Sequence, residues 1–275
     1  MRQKPVLHDY DLGAGVTTFS TTRHGGVSQG NYGEFNINAY CGDTPEAIAQ
    51  NRKALCDELD VDDDRLLLPH QVHGVELRLI SNEFFDFRQP IQQMLLEGVD
   101  GVMTTVSGVC IGVSTADCIP VLFYDAPHHA VCAVHAGWRG TLAQIARKAV
   151  VEMRQSFLTR PVDLQVCIGP GISLRNFEVG DDVYEQFAAA GFNMSRMARQ
   201  FPTTDEEVPL SLRDKVLKWH LDLPECNRLQ LQDIGVPADH IHLSGICTYE
   251  QVDDYFSARR LGVASGRVFT GIILA

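Results

Sequence analysis

The stretch from Val109 to Met153 constrains the fold of this chain more than any other. Three apolar, β-rich runs follow in quick succession, Val109 to Ser114, Ile119 to Tyr124 and Ala130 to Val134, with only Thr115-Ala116-Asp117-Cys118 between the first two. Runs of this length bounded by turn residues read as buried strands. After Gly140 the period changes, and Leu142, Ile145, Ala146, Ala149, Val150 and Met153 recur at the spacing of one helical face. Such a face lies on a sheet. A chain with this centre builds α/β layers.

The flanks extend the pattern. Thr44 is placed as the N-cap, and Pro45 as the first residue, of a helix running to Leu59. Val75, Leu77 and Leu79 alternate with Glu76 and Arg78, which predicts a half-buried strand. Residues 81–97 form an excursion packed down by Phe84, Phe85 and Phe87, and Asp100-Gly101 marks a turn. Leu164 to Ile168 returns as a strand ending at Gly169-Pro170-Gly171. Asp181 to Ala190 is predicted helical, 195–210 is a polar surface excursion, and a helix from Leu221 to Ile234 leads into a strand from Ile241 to Gly245. The acidic run Asp60 to Asp64 is no calcium loop, since Arg65 and Gln71 stand where glycine and glutamate are needed. The expected fold class is α/β, with mixed α+β as the variant: one domain over 1–275, a layered sheet with flanking helices.

Composition narrows the partners. A chain of 275 residues, 45% hydrophobic, can bury a large core, so disorder does not describe it. With 23 basic against 35 acidic residues the net charge is −12, and no basic cluster exceeds Arg259-Arg260. A nucleic-acid surface would show a basic stripe. No apolar run has the length of a membrane span, and Met1-Arg2-Gln3-Lys4-Pro5 does not open a secretory signal, so the expected location is cytoplasmic. Eight cysteines lie largely in apolar strands such as Val131-Cys132-Ala133-Val134, as buried free thiols do.

Chemistry concentrates at strand-to-turn junctions. His135 opens His135-Ala136-Gly137-Trp138-Arg139-Gly140-Thr141, Cys118 ends the turn before the second strand, and His73 sits in Gln71-Val72-His73-Gly74. Singly, each is more often a packed histidine or an inert thiol. Together they make three quarters of a tetrahedral zinc site. A structural site closes with four protein ligands, whereas a catalytic one leaves a position for water or substrate. Arg139, just before the amphipathic helix, is a candidate anion holder with the N–H groups around Gly140 and Thr141; the alternative is a salt bridge or a stack on Trp138. Arg23, in Thr22-Arg23-His24-Gly25-Gly26-Val27-Ser28, is a second such candidate against an ordinary solvated arginine. Asp117 either orients a neighbouring imidazole or caps its turn. Cys247 is a pocket residue if parallel strands gather their carboxyl ends at one crevice, and otherwise a buried thiol.

Other classes use the same atoms. Without metal, Cys118 is a nucleophile and His135 its base, which makes a cysteine hydrolase. A non-enzymatic module would need the metal to fold. A four-copper oxidase needs many His-x-His pairs, and this chain has ten histidines and one such pair, His240-Ile241-His242. Copper would then occupy the His/Cys/His site.

Gln71-Val72-His73-Gly74, Ala116-Asp117-Cys118-Ile119-Pro120-Val121-Leu122 and Ala133-Val134-His135-Ala136-Gly137-Trp138-Arg139-Gly140 resemble the three hallmark blocks of the YfiH/laccase-domain family. The resemblance spans nearly the whole chain, through Arg23-His24-Gly25-Gly26, Ile168-Gly169-Pro170, Glu178-Val179-Gly180, Cys247-Thr248 and Phe256-Ser257-Ala258-Arg259-Arg260. It implies a YfiH-like domain with a zinc on His73, Cys118 and His135. It also implies phosphorolysis of adenosine, inosine and methylthioadenosine and deamination of adenosine, with a purine nucleoside and phosphate as partners. Polyphenol oxidation is the family's older label, and an amidase editing a cell-wall precursor has also been proposed for it. One departure is Gly171, where relatives commonly carry cysteine in Ile-Gly-Pro-Cys-Ile.

Overall fold

The central strands are apolar on both faces, so each face needs a cover. In the computed structural model, which describes residues 4–204 and 208–275, stacked sheets meet that need. Met1-Arg2-Gln3 and 205–207, within the expected 195–210 excursion, lie outside the described residues.

A five-stranded sheet runs in the order β1 (Leu7–Tyr10), β2 (Val16–Thr21), β14 (Val268–Leu274), β6 (Cys110–Thr115), β3 (Leu66–Leu67). A six-stranded sheet runs β13 (Ile241–Leu243), β9 (Leu164–Ile168), β7 (Ile119–Asp125), β8 (Ala130–Ala136), β5 (Gly101–Thr104), β4 (Leu77–Ile80). A small sheet joins β10 (Glu178–Val179), β12 (Leu217–Leu221) and β11 (Ala198–Pro202). The three successive runs therefore divide: β6 enters one sheet, and β7 and β8 the other. Among the described residues the strand pairs that run parallel are β3 with β6, β4 with β5 and β9 with β13. The two large sheets are mixed and the small one is antiparallel, within the expected α/β class with its α+β variant. A short turn joins β7 to β8, and such a turn can only reverse the chain.

Three clusters fill the layers. Ile111 and Val113 of β6, Leu122 of β7, Val131 and Ala133 of β8 and Ile272 of β14 pack between the two large sheets. The other face of the six-stranded sheet sets Phe123, Cys132 and Val134 against Ile145, Ala149 and Met153 of the helix Ile145–Phe157. The outer face of the five-stranded sheet sets Phe19, Cys110 and Phe269 against Leu55 and Cys56 of the helix Pro45–Leu59. The result is helix, sheet, sheet, helix. Each fully buried large side chain contributes about 1.5–3 kcal/mol.

The helix Pro45–Leu59 starts as the sequence predicts, with Thr44 accepting the Ala47 N–H. The second helix departs from expectation. It breaks into Trp138–Leu142 and Ile145–Phe157, with Gln144 at φ 61° between them. The carbonyl of Thr141 takes the Gln144 N–H and the side-chain amide of Gln230. Leu79 is exposed: Leu77 faces the helix-side core and Ile80 the inter-sheet core, and at the sheet edge nothing covers Leu79. Phe84 is buried, but Phe87 is exposed. The polar excursion contains β11, and the predicted Leu221 start belongs to β12, with Asp222 capping a helix Leu223–Asp233. All eight cysteines are free thiols. Among the described residues no helix is long and apolar enough to cross a membrane.

Candidate metal centre and its cleft

The chain changes sheets between Thr115 and Ile119, and Cys118 sits at that crossover. His135 ends β8 on the face that carries Val131 and Ala133 toward the other sheet. His73 lies in the turn before β4 with φ 62°, and Asp117 has φ 86°. Non-glycine residues at positive φ are held there by their surroundings, at a cost of roughly 1–3 kcal/mol each. One ligand atom from each of His73, Cys118 and His135 lies within 4.8 Å of the others. His135 is buried, Cys118 half-buried and His73 exposed, so the trio opens to one side.

Asp100 organises it. This fully buried carboxylate accepts the N–H groups of Val72 (3.1 Å), His73 (3.0 Å) and Gly74 (2.8 Å), which fixes the strained turn. It also accepts His135 Nδ1–H at 2.8 Å, and the Asp100 carbonyl accepts the His135 N–H. With Nδ1 committed, Nε2 of His135 is left as the ligand atom. The side chain of Gln71 brackets Ser114, accepting its N–H and donating to its carbonyl, and so ties the His73 turn to the end of β6. Gly137 leaves the space. A Cβ there would lie 3.0 Å from Cys118 Sγ, 3.2 Å from His73 Cδ2 and 3.6 Å from His135 Cε1.

Charges follow this geometry. Burial alone would push the Cys118 thiol up, yet the His135 and His73 rings bring it down to about 6. Burial would lower His135, yet Cys118 and Asp100 raise it to about 9. Burial likewise opposes ionisation of Asp100, but the His135 ring and the turn amides hold its carboxyl below the usual range. Two imidazoles, a ready thiolate and a carboxylate behind one ring form a donor set that suits zinc and also copper.

The other candidates are placed elsewhere. Arg139 is exposed, with its guanidinium 4.3 Å over the Trp138 ring, and the Thr141 N–H is already bonded to the Gly137 carbonyl. Of the two readings of Arg139, the stack on Trp138 is the one seen in the structure. Asp117 touches neither imidazole among its hydrogen-bond partners. It accepts Thr248 Oγ1–H and the Arg259 N–H, pinning the C-terminal segments to the crossover. Arg23 donates to the Gly33 and Val252 carbonyls and lies over Phe256, so its fork braces loops. Cys247 is buried and accepts the Ser173 N–H, lining a different cavity with Gly171. A Cβ at Gly171 would meet Ile119 Cδ1 at 2.3 Å, so the end of the Ile119 side chain takes the room a side chain would need there.

The trio forms one end of a cleft of about 280 Å³ whose walls include Tyr40, Gln71, Ser114, Thr115 and Arg267. Apart from Gln71, which shares its motif block with His73, none of these, nor Asp100, was singled out from sequence. Asp100-Gly101 carried the only signal, and it reads as a turn.

The profile of a family described as multi-copper polyphenol oxidoreductase laccase matches residues 17–275. The chain is 41% identical to a protein named purine nucleoside phosphorylase from Bacteroides thetaiotaomicron, over 94% of this chain and 92% of that one. It is 39% identical to a protein named adenosine deaminase RL5 from an unknown prokaryotic organism, over 94% of each. Among solved structures, YlmD from Geobacillus stearothermophilus matches with a TM-score of 0.81 at 32% identity, covering 96% of this chain and 94% of that one.

Proposed function

The chain belongs to the YfiH/laccase-domain family, and on that premise we propose that it is a metal-dependent purine nucleoside enzyme. It performs phosphorolysis of adenosine, inosine and methylthioadenosine and deamination of adenosine in the cleft over His73, Cys118 and His135. The observation that carries this is the convergence of two imidazoles and a thiolate within 4.8 Å, open on one side. The names of the similar proteins favour nucleosides as substrates.

Zinc held by His73, Cys118 and His135 would supply a Lewis acid at the open side of the trio. Asp100 keeps His135 in the tautomer that offers Nε2, and the Asp100–amide bonds hold the His73 turn at its distance. Tyr40, exposed and stacked 4.0 Å on His70, offers an aromatic face on the cleft wall where a purine can lie. Copper suits the same donors, which accounts for a phenol-oxidising label without a four-copper centre. Among the described residues this trio is the one cluster of three or more His, Cys, Asp or Glu; His240 donates to the Leu164 carbonyl and His242 is exposed on β13.

A second reading has its own support. A Cys118 thiol near 6 facing a His135 ring near 9 is the charge state of a nucleophile and its base, as in a cysteine hydrolase acting on a cell-wall precursor. One experiment separates the two. Metal content is measured on purified protein, and adenosine is incubated with and without phosphate while adenine, inosine and hypoxanthine are resolved. Stoichiometric zinc, lost together with nucleoside turnover in His73→Ala, supports the first reading. No purine product, with amidase activity that survives exhaustive chelation, replaces it with the second.

A further inference from the structure

Two hydroxyls on the cleft wall have no partner, and the cation that shares the wall with them is bonded only to its own turn. Arg267 reaches the wall just before β14. Its Nη1 donates to the Ser265 and Gly266 carbonyls at 2.6 and 2.9 Å, and its Nη2 to the Val263 carbonyl at 3.0 Å. These bonds fix the fork in place, yet no carboxylate among the described residues pairs with it. Ser114 and Thr115 end β6 on the same wall, 5% and 1% exposed, and neither hydroxyl has a hydrogen-bond partner. The main chain of Ser114 is fully engaged by Gln71, so its free hydroxyl is not a sign of a loose segment. A buried polar group without a partner is costly and calls for a specific reason.

A planar cationic fork and two O–H donors are the complement of a tetrahedral oxyanion. We propose that Arg267, Ser114 and Thr115 form an oxyanion subsite that takes inorganic phosphate beside His73, Cys118 and His135. The proposal rests on the reading of the chain as a phosphorolytic enzyme. It moves the anion-holding role from Arg139, stacked on Trp138, to Arg267. The chain's net charge of −12 makes a local, fixed cation more necessary, because the overall field repels phosphate.

Inorganic phosphate is titrated calorimetrically into the metal-replete full chain, and into Arg267→Met, Thr115→Val and Arg139→Ala, at constant ionic strength. Arg267→Met weakens phosphate by roughly tenfold or more, as loss of a charge-assisted contact does. Thr115→Val weakens it about threefold, while its melting temperature without phosphate stays level or rises, because an unpaired buried hydroxyl has become a methyl. Arg139→Ala binds as wild type. Thr115→Val keeps the test decisive if Arg267→Met misfolds through loss of its brace on the 263–266 turn.

Unchanged phosphate affinity in Thr115→Val overturns the proposal, as does loss of phosphate in Arg139→Ala. Weakened adenosine with unweakened phosphate in Thr115→Val also overturns it and assigns the hydroxyls to ribose. Wild type that binds phosphate through these residues but cleaves no nucleoside leaves the subsite standing and removes the phosphorolytic reading. Wild type that cleaves nucleosides, with phosphate KM unaltered in both variants, does the reverse.

Discussion

Asp100 concentrates more of the site's order than any of the three converging residues, His73, Cys118 and His135. Four N–H groups end on its carboxylate, three from one turn and one from the His135 ring. Asp100→Asn keeps the shape but turns an NH₂ toward donors. Zinc affinity, measured by competition with a chromophoric chelator, falls roughly 10- to 100-fold. The apo chain also loses about 3 kcal/mol in denaturant unfolding, because buried amides and a ring N–H lose their acceptor. An apo stability equal to wild type would show that the turn needs no such anchor. The depressed Asp100 pKa gives this contribution a sign: it is present above the ordinary carboxyl range near 4 and is lost as pH falls through the lower folded value. Cys118 gives a second prediction. In the apo chain its alkylation by iodoacetamide rises through a midpoint near pH 6, whereas Cys56 and Cys167, pushed up by burial to about 11 and 12, stay unreactive at neutral pH. Zinc protects Cys118. A midpoint near the ordinary thiol value would mean that His135 and His73 do not act on it.

At the scale of elements, the centre depends on two junctions, the crossover after β6 and the turn after β8. Gly137 makes the second one possible. Its φ of −65° is open to alanine, so Gly137→Ala is a pure contact test without backbone strain. A methyl 3.0 Å from Cys118 Sγ and 3.2 Å from His73 Cδ2 forces the trio apart by a few tenths of an ångström. Zinc stoichiometry drops while far-UV circular dichroism stays unchanged; full zinc occupancy would show that the trio yields freely. The same junctions explain what the sequence made legible. The helix face from Ile145 to Met153 was readable because one side alone is buried, which leaves a period of 3.6. Which sheet each strand enters was not readable, because β6, β7 and β8 are buried on both faces and an apolar run does not record its neighbours. His73, Cys118 and His135 stood out through their turns and motifs, and the fold brings them together. Asp100 and Arg267 were missed because their roles exist only through contacts with distant segments. Arg139 was legible in position with two roles open, and the stack on the neighbouring indole is the one seen here.

For the whole molecule, the question is how far the fold depends on the metal. The core lies in three apolar layers, and His73, Cys118 and His135 stand at the ends of strands rather than within those layers. Without metal, Asp100 still binds the His73 turn and the His135 ring, and the Cys118 thiolate faces a protonated His135, so no bare charge is stranded. Metal therefore adds only its mass-action term, about 4 kcal/mol at a thousandfold excess over Kd. At roughly 2–4 °C per kcal/mol for chains of 150–250 residues, and less for a longer one, chelation lowers the melting temperature by at most about 15 °C. The transition stays single and cooperative, and the near-UV circular dichroism of the aromatic core survives at 25 °C. A zinc-dependent module behaves differently, because its apo chain is unfolded and metal binding is its folding energy. Loss of the near-UV signal on chelation at 25 °C, with recovery on adding zinc, would place this chain in that class and make the three apolar layers insufficient on their own.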